Sequence, residues 1–73
     1  MPHINIKMYP GKPEEAKQSL ADKIMVLAQE ELGCPMEALS VSIQEVAPES
    51  WNEAVADVIP GDAVVAGEMW RVK

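Results

Sequence analysis

The sequence predicts an α/β (α+β) chain built on one βαβ unit, with two parallel strands, one long helix, and a short C-terminal helix followed by a tail or hairpin. Three patterns carry that reading. Residues 1–8 alternate, with Ile4, Ile6 and Met8 set against His3, Asn5 and Lys7, the period of a strand with one buried face. Residues from Pro13 to about Leu32 repeat their apolar positions at helical spacing. Leu39 to Val46 alternates again, with Leu39, Val41 and Ile43 facing one way and Ser40, Ser42 and Gln44 the other. A helical connection between the two strands implies a parallel, right-handed crossover.

Between the first strand and the helix, Tyr9-Pro10-Gly11-Lys12-Pro13 has the composition of a turn. Pro13 suits the first helical turn, where a missing N–H costs nothing. Glu14 and Glu15 then place negative charge at the positive end of the helix dipole. Ala16, Leu20, Ala21, Ile24, Met25, Leu27, Ala28 and Leu32 form a stripe around roughly half of the helix. Lys17 and Glu31 interrupt that arc near its ends, from where long side chains are expected to snorkel outward. Gly33 suits the residue past the helix end, and Pro35 prevents continuation. After the second strand, Trp51 to Val58 reads as a short helix and Ile59 to Asp62 as a turn. Ala63 to Val65 leans towards β, and residues 69–73 alternate. The alternation favours a short hairpin or an extended tail over a terminal helix.

At 73 residues the chain is a single domain, spanning 1–73, and its core is thin. One cysteine, Cys34, excludes an intrachain disulfide and a Cys-rich zinc site, and one histidine further weakens any metal reading. Association is the expected remedy. Two parallel strands are too few for an independent sheet. A second copy completes a four-stranded sheet with two helices on one face, so a homo-oligomer is expected: a dimer, or a hexamer as a trimer of dimers. The formal net charge of −6 argues against nucleic acid as a partner. No apolar run is long enough to span a membrane, and no signal peptide is evident, so a cytoplasmic location is expected.

Pro2 shares the parity of Ile4 and Ile6 and so points to the apolar side of the first strand. If Met1 is removed, as is usual before a small residue, Pro2 becomes a secondary amine at the edge of an apolar face. An ordinary α-amine has a pKa of about 8, with proline somewhat higher. An apolar wall and a nearby cation both disfavour its protonated form. Such an amine is a candidate general base. Lys12 is the one cation in the first turn, although a lysine beside a turn is ordinarily just solvated. Trp51 reads as core, as pocket wall, or as both. His3, Asn5 and Lys7 project from the face opposite the helix, ordinarily a solvated or interface-lining one, yet His3 adjoins Pro2 and could bond a substrate. Cys34 lacks a histidine base within evident reach and reads as structural. Met69 and Trp70 read as cover for an apolar edge of a partner copy.

The initiator Met1 and Pro2, a short strand, the Gly11-Lys12 turn, one amphipathic helix, a second strand and an aromatic soon after it resemble the tautomerase superfamily, and within it the 4-oxalocrotonate tautomerase family. Met1-Pro2-His3-Ile4-Asn5-Ile6-Lys7 and Pro48-Glu49-Ser50-Trp51 look closest to its phenylpyruvate-tautomerase-like subgroup. The resemblance covers roughly residues 2–58 and rests on the order and spacing of these features. It implies that Pro2 is the catalytic proline and that Lys12 replaces an arginine that binds substrate carboxylate. Ser40 falls where dicarboxylate-specific members carry a second arginine, and Trp51 matches the aromatic that walls the pocket. The implied activity is cofactor-independent keto–enol tautomerisation of a small 2-oxo acid, such as an aryl pyruvate. Hydration or dehalogenation of a small unsaturated acid by the same proline is the alternative within enzymes. A non-catalytic subunit of a tautomerase-like oligomer is the alternative outside them.

Overall fold

The computed structural model describes residues 1–73. Strand β1 spans His3–Met8, helix α1 spans Glu14–Leu32, and strand β2 spans Ser40–Glu45. β1 and β2 pair in parallel, from His3 opposite Ser40 to Met8 opposite Glu45, and form a two-stranded sheet. The βαβ unit is therefore the one that the alternation and the helical stripe predict. α1 lies against the sheet on the side of Val41 and Ile43, which share a groove with Ala21.

Pro13 caps α1 rather than beginning it. Its carbonyl accepts the N–H groups of Ala16 and Lys17 at 3.1 and 3.2 Å. The ring fixes φ at −68°, but a ψ of 155° leaves the residue extended, just outside the helix. Gly33 closes the other end at φ 67°, and its N–H donates to the Gln29 carbonyl at 2.9 Å.

Lys17 departs from expectation. Its side chain is only 11% exposed, with Nζ 2.8 Å from Glu14 and 3.3 Å from Glu45. Glu45, at the end of β2, supplies an acceptor at the seam between helix and strand, so the ammonium is satisfied without reaching for water. The hydrogen bond to Glu14, joined by Glu45 and opposed by desolvation, holds its pKa above the ordinary 10.5.

Only Leu39, Trp51, Val55 and Ala56 are buried, and none of them belongs to α1. On the helix Leu20 remains 40% and Leu27 57% exposed. The main core lies elsewhere, under the C-terminal segment, where Tyr9, Val46, Ile59, Met69 and Val72 pack around Trp51, Val55 and Ala56.

The helix expected over Trp51 to Val58 starts earlier and changes pitch. A 3₁₀ turn at Pro48–Ser50 runs through Trp51 into a π turn at Asn52–Ala56, where the Asp57 N–H donates to the Asn52 carbonyl at 2.8 Å. The wider turn carries Val55 and Ala56 together beneath Trp51. No hairpin forms. The turn expected at Ile59 to Asp62 is present as a 3₁₀ turn at Gly61–Ala63, whereas Ala63 to Val65, expected to lean towards β, forms no strand, and the rest of the tail is irregular.

What a partner strand would have supplied to the tail comes from side chains. The Asn52 amide donates to the Val72 carbonyl at 2.8 Å and accepts the Val72 N–H at 2.9 Å. The Trp51 indole N–H donates to the Trp70 carbonyl at 2.8 Å, and Arg71 pairs with Asp57 at 2.8 Å. Met69 packs against the Trp51 cluster of its own chain. Trp70 turns its indole N–H to the Tyr9 hydroxyl at 2.7 Å.

Candidate active site

Because the strands are parallel, both begin at the same end of the sheet. The Ser40 N–H donates to the Pro2 carbonyl at 3.4 Å, which extends the ladder one rung back to residue 2. Met1 is 98% exposed. While it is attached, the Pro2 nitrogen is an amide without basicity. Ser40 Oγ lies 2.6 Å from His3 Nδ1, so Pro2, His3 and Ser40 gather within one chain at the start of the strands.

Lys12 lies at the opposite end, while Trp51 packs on Tyr9 and reaches back over Lys7 and Asn5 on β1. At ~3.3 Å per residue, the strand from Pro2 to Met8 separates the two ends by roughly 20 Å. Lys12 borders an open groove of about 480 Å³ with Met8, Tyr9, Ala16, Lys17 and Leu20. Lys12 forms no ion pair, whereas Lys17 in the same groove is held by two carboxylates. An anion entering there meets one uncommitted ammonium.

Trp51 is 9% exposed and stands edge-on to Tyr9, with ring centroids 5.1 Å apart and planes at 88°. It is core first. Its remaining surface walls a small cavity of about 240 Å³, shared with Asn5, Lys7 and Val55 on the sheet face opposite α1. Tyr9 went unrecognised in the sequence because it sits in a Pro-Gly turn. The signal was present, since Tyr9 continues the odd-numbered parity of His3, Asn5 and Lys7 onto the face that Trp51 covers.

No three His, Cys, Asp or Glu side chains converge as metal ligands. No helix is long and apolar enough to cross a membrane. Cys34 is a free, half-buried thiol in the turn after α1.

Comparison with known proteins follows the same lines. A family model described as tautomerase enzyme matches residues 2–63. The tautomerase PptA of Pectobacterium atrosepticum is 35% identical over 60 residues, covering 81% of this chain and 79% of the relative. A probable tautomerase of Bacillus cereus is 39% identical over 46 residues, covering 63% of this chain and 75% of the relative. Among solved structures, TomN, a 4-oxalocrotonate tautomerase homologue in the tomaymycin biosynthetic pathway, superposes with a TM-score of 0.65 at 32% identity. That match covers 68% of this chain and 77% of TomN.

Proposed function

The chain belongs to the tautomerase family and is an isomerase, and from that premise we propose that it interconverts the enol and keto forms of a small 2-oxo acid without a cofactor, using Pro2 as the base once Met1 has been removed. The reaction needs one proton moved and returned. The Pro2 nitrogen takes the enol O–H proton, and the resulting prolinium delivers it to the adjacent carbon, so the enzyme ends as it began. Lys12 holds the single carboxylate, Trp51 and the apolar groove exclude water, and the Ser40 hydroxyl and nearby backbone N–H groups stabilise the enolate.

The observation that carries this reading is the separation of the site's parts along a parallel sheet. Pro2 and Ser40 stand at one end and Lys12 at the other. No small substrate spans roughly 20 Å. A second copy, paired antiparallel, brings the strand starts of one subunit to the strand ends of the other. The half-exposed stripe of α1 supports the same partner, because Leu20 and Leu27 need apolar cover that one chain does not supply. Each pocket then takes Pro2 from one protomer and Lys12 from its partner, within a dimer or a trimer of dimers in the cytoplasm.

Mixing tests this directly. Pro2→Ala protein and Lys12→Ala protein, each inactive alone, are dissociated together and reassembled. A mixed dimer then holds one site with every lesion and one with none, so activity returns in part. No recovery despite demonstrated subunit exchange would place the site in one chain. Substrate choice adds a second check. With Ser40 where a second arginine would bind a second carboxylate, monocarboxylates are expected to outperform diacids, and Ser40→Arg is expected to shift preference towards diacids.

A further inference from the structure

On the sheet face opposite α1, five side chains make one unbroken line. Lys7 Nζ donates to Asn5 Oδ1, and Asn5 Nδ2 donates to Ser42 Oγ at 2.7 Å. Ser42 Oγ lies 2.9 Å from His3 Nε2, and His3 Nδ1 lies 2.6 Å from Ser40 Oγ. The line begins at the strand ends and finishes beside Pro2. The parallel register makes it possible, because His3 and Asn5 sit directly opposite Ser40 and Ser42.

We infer that this line is a proton-ordered chain that fixes the His3 tautomer and thereby holds the Ser40 hydroxyl as a hydrogen-bond donor to an anionic oxygen of the substrate. The order follows from the donor and acceptor inventory. A lysine ammonium can only donate, so Asn5 must turn its oxygen towards Lys7 and its NH₂ towards Ser42. Ser42 Oγ has two partners, Asn5 and His3. Having accepted from Asn5, it donates its one proton to His3 Nε2. His3 then carries its proton on Nδ1 and donates it to Ser40 Oγ. The Ser40 proton cannot point at an N–H, so it turns outward as a free donor.

The opposite tautomer makes Ser42 accept twice, leaves the Ser42 proton with no protein acceptor, and turns the lone pairs of Ser40 outward. A carboxylate or enolate would then meet repulsion rather than a hydrogen bond. Bonds aligned in one sense also polarise and strengthen one another. Lys7, Asn5, Ser42 and His3 are thus positioning residues, acting through Ser40. That Ser40 faces the substrate rests on the function proposed above, but the order of the chain does not.

His3 is the only histidine, so long-range proton–nitrogen NMR reads its tautomer without ambiguity. At about pH 8, above the ordinary histidine value, the unliganded protein is expected to show Nδ1–H. Lys7→Arg, still donor-only, is expected to keep it. Lys7→Glu offers only acceptors, which flips the Asn5 amide and reverses every bond, so His3 switches to Nε2–H. With the 2-oxo acid, Lys7→Glu is then expected to raise KM roughly tenfold, as loss of a hydrogen bond to a charged group would. Nε2–H in the wild type, or Nδ1–H retained in Lys7→Glu, would overturn the ordered chain. A switched tautomer with unchanged KM would remove Ser40 from the substrate. The basicity of Pro2 is judged separately, by Pro2→Ala.

Discussion

Residues 3–45 contain both strands and the 19-residue helix, yet only one of the four buried residues, Leu39. Residues 46–73 contain only short turns, and they bury Trp51, Val55 and Ala56. Regularity and burial have parted company. The βαβ half has its backbone hydrogen bonds in place but leaves Leu20 and Leu27 half in water, the apolar surface that the proposed partner copy would cover. The C-terminal half lacks a ladder, and it is closed within the chain by an aromatic cluster and by side chains that bond the tail's backbone. One half is regular structure with uncovered apolar surface, and the other is a core with little secondary structure.

The comparison breaks most sharply at Trp51. Trp51→Ala is expected to cost about 3–5 kcal/mol, the usual loss for a buried large aromatic. The thermal midpoint would fall steeply even at high protein concentration, because this core is intramolecular. A loss that raising the concentration reverses would mean the cluster depends on the partner after all.

The helix answers to a different variable. Leu20→Asp/Leu27→Asp is expected to yield monomers by analytical ultracentrifugation and to abolish activity while the Trp51 cluster keeps its near-ultraviolet signal. A double variant that remains an oligomer would place the interface elsewhere.

Asn52 tests the tail. Asn52→Ala removes two hydrogen bonds to Val72 and is expected to cost about 1–3 kcal/mol. Amide exchange at residues 70–73 should accelerate well before the strands are affected. Uniform acceleration would tie the tail to global unfolding instead.

The smallest effect is at the helix–strand seam. Since Lys17 has its pKa raised in the fold, the stabilisation it gives is complete below the ordinary value of 10.5 and is lost as pH rises through the higher folded value. Lys17→Met is therefore expected to lower the thermal midpoint by a constant amount from neutral pH up to pH ~9.5. The difference from wild type should narrow above pH ~10.5. A difference that does not change with pH would assign the effect to packing.

The same division explains what could be read from the chain beforehand. Alternation at Ile4, Ile6 and Met8, the stripe from Ala16 to Leu32 and the stop at Gly33 are periodic, and periodicity is visible in one dimension. The tail's closure is not periodic. It depends on one asparagine amide meeting residue 72 and one indole meeting residue 70, contacts that no spacing rule encodes. The π turn at residues 52–56 is equally hidden, because its composition is that of an ordinary helix. The proposed site residues Pro2, Lys12, Ser40 and Trp51 follow from type and order along the chain, through a family resemblance. The division of Pro2 and Lys12 between the two ends of the sheet followed from reading both strands as parallel. The line through Ser42 and Asn5 needed the register as well, which sequence alone leaves open.

The rung from Ser40 to the Pro2 carbonyl has a practical consequence. It grips residue 2 by its carbonyl and does not involve the nitrogen, so the rung forms with Met1 still attached. A purification tag fused ahead of Pro2 would leave this rung in place while turning the proposed base into an inert amide. The chain would still fold its sheet, and a fold-sensitive measurement such as circular dichroism would not reveal the lost base. The position of the tag, a matter usually settled by convenience, would decide whether a substrate screen reports an enzyme or a well-folded blank.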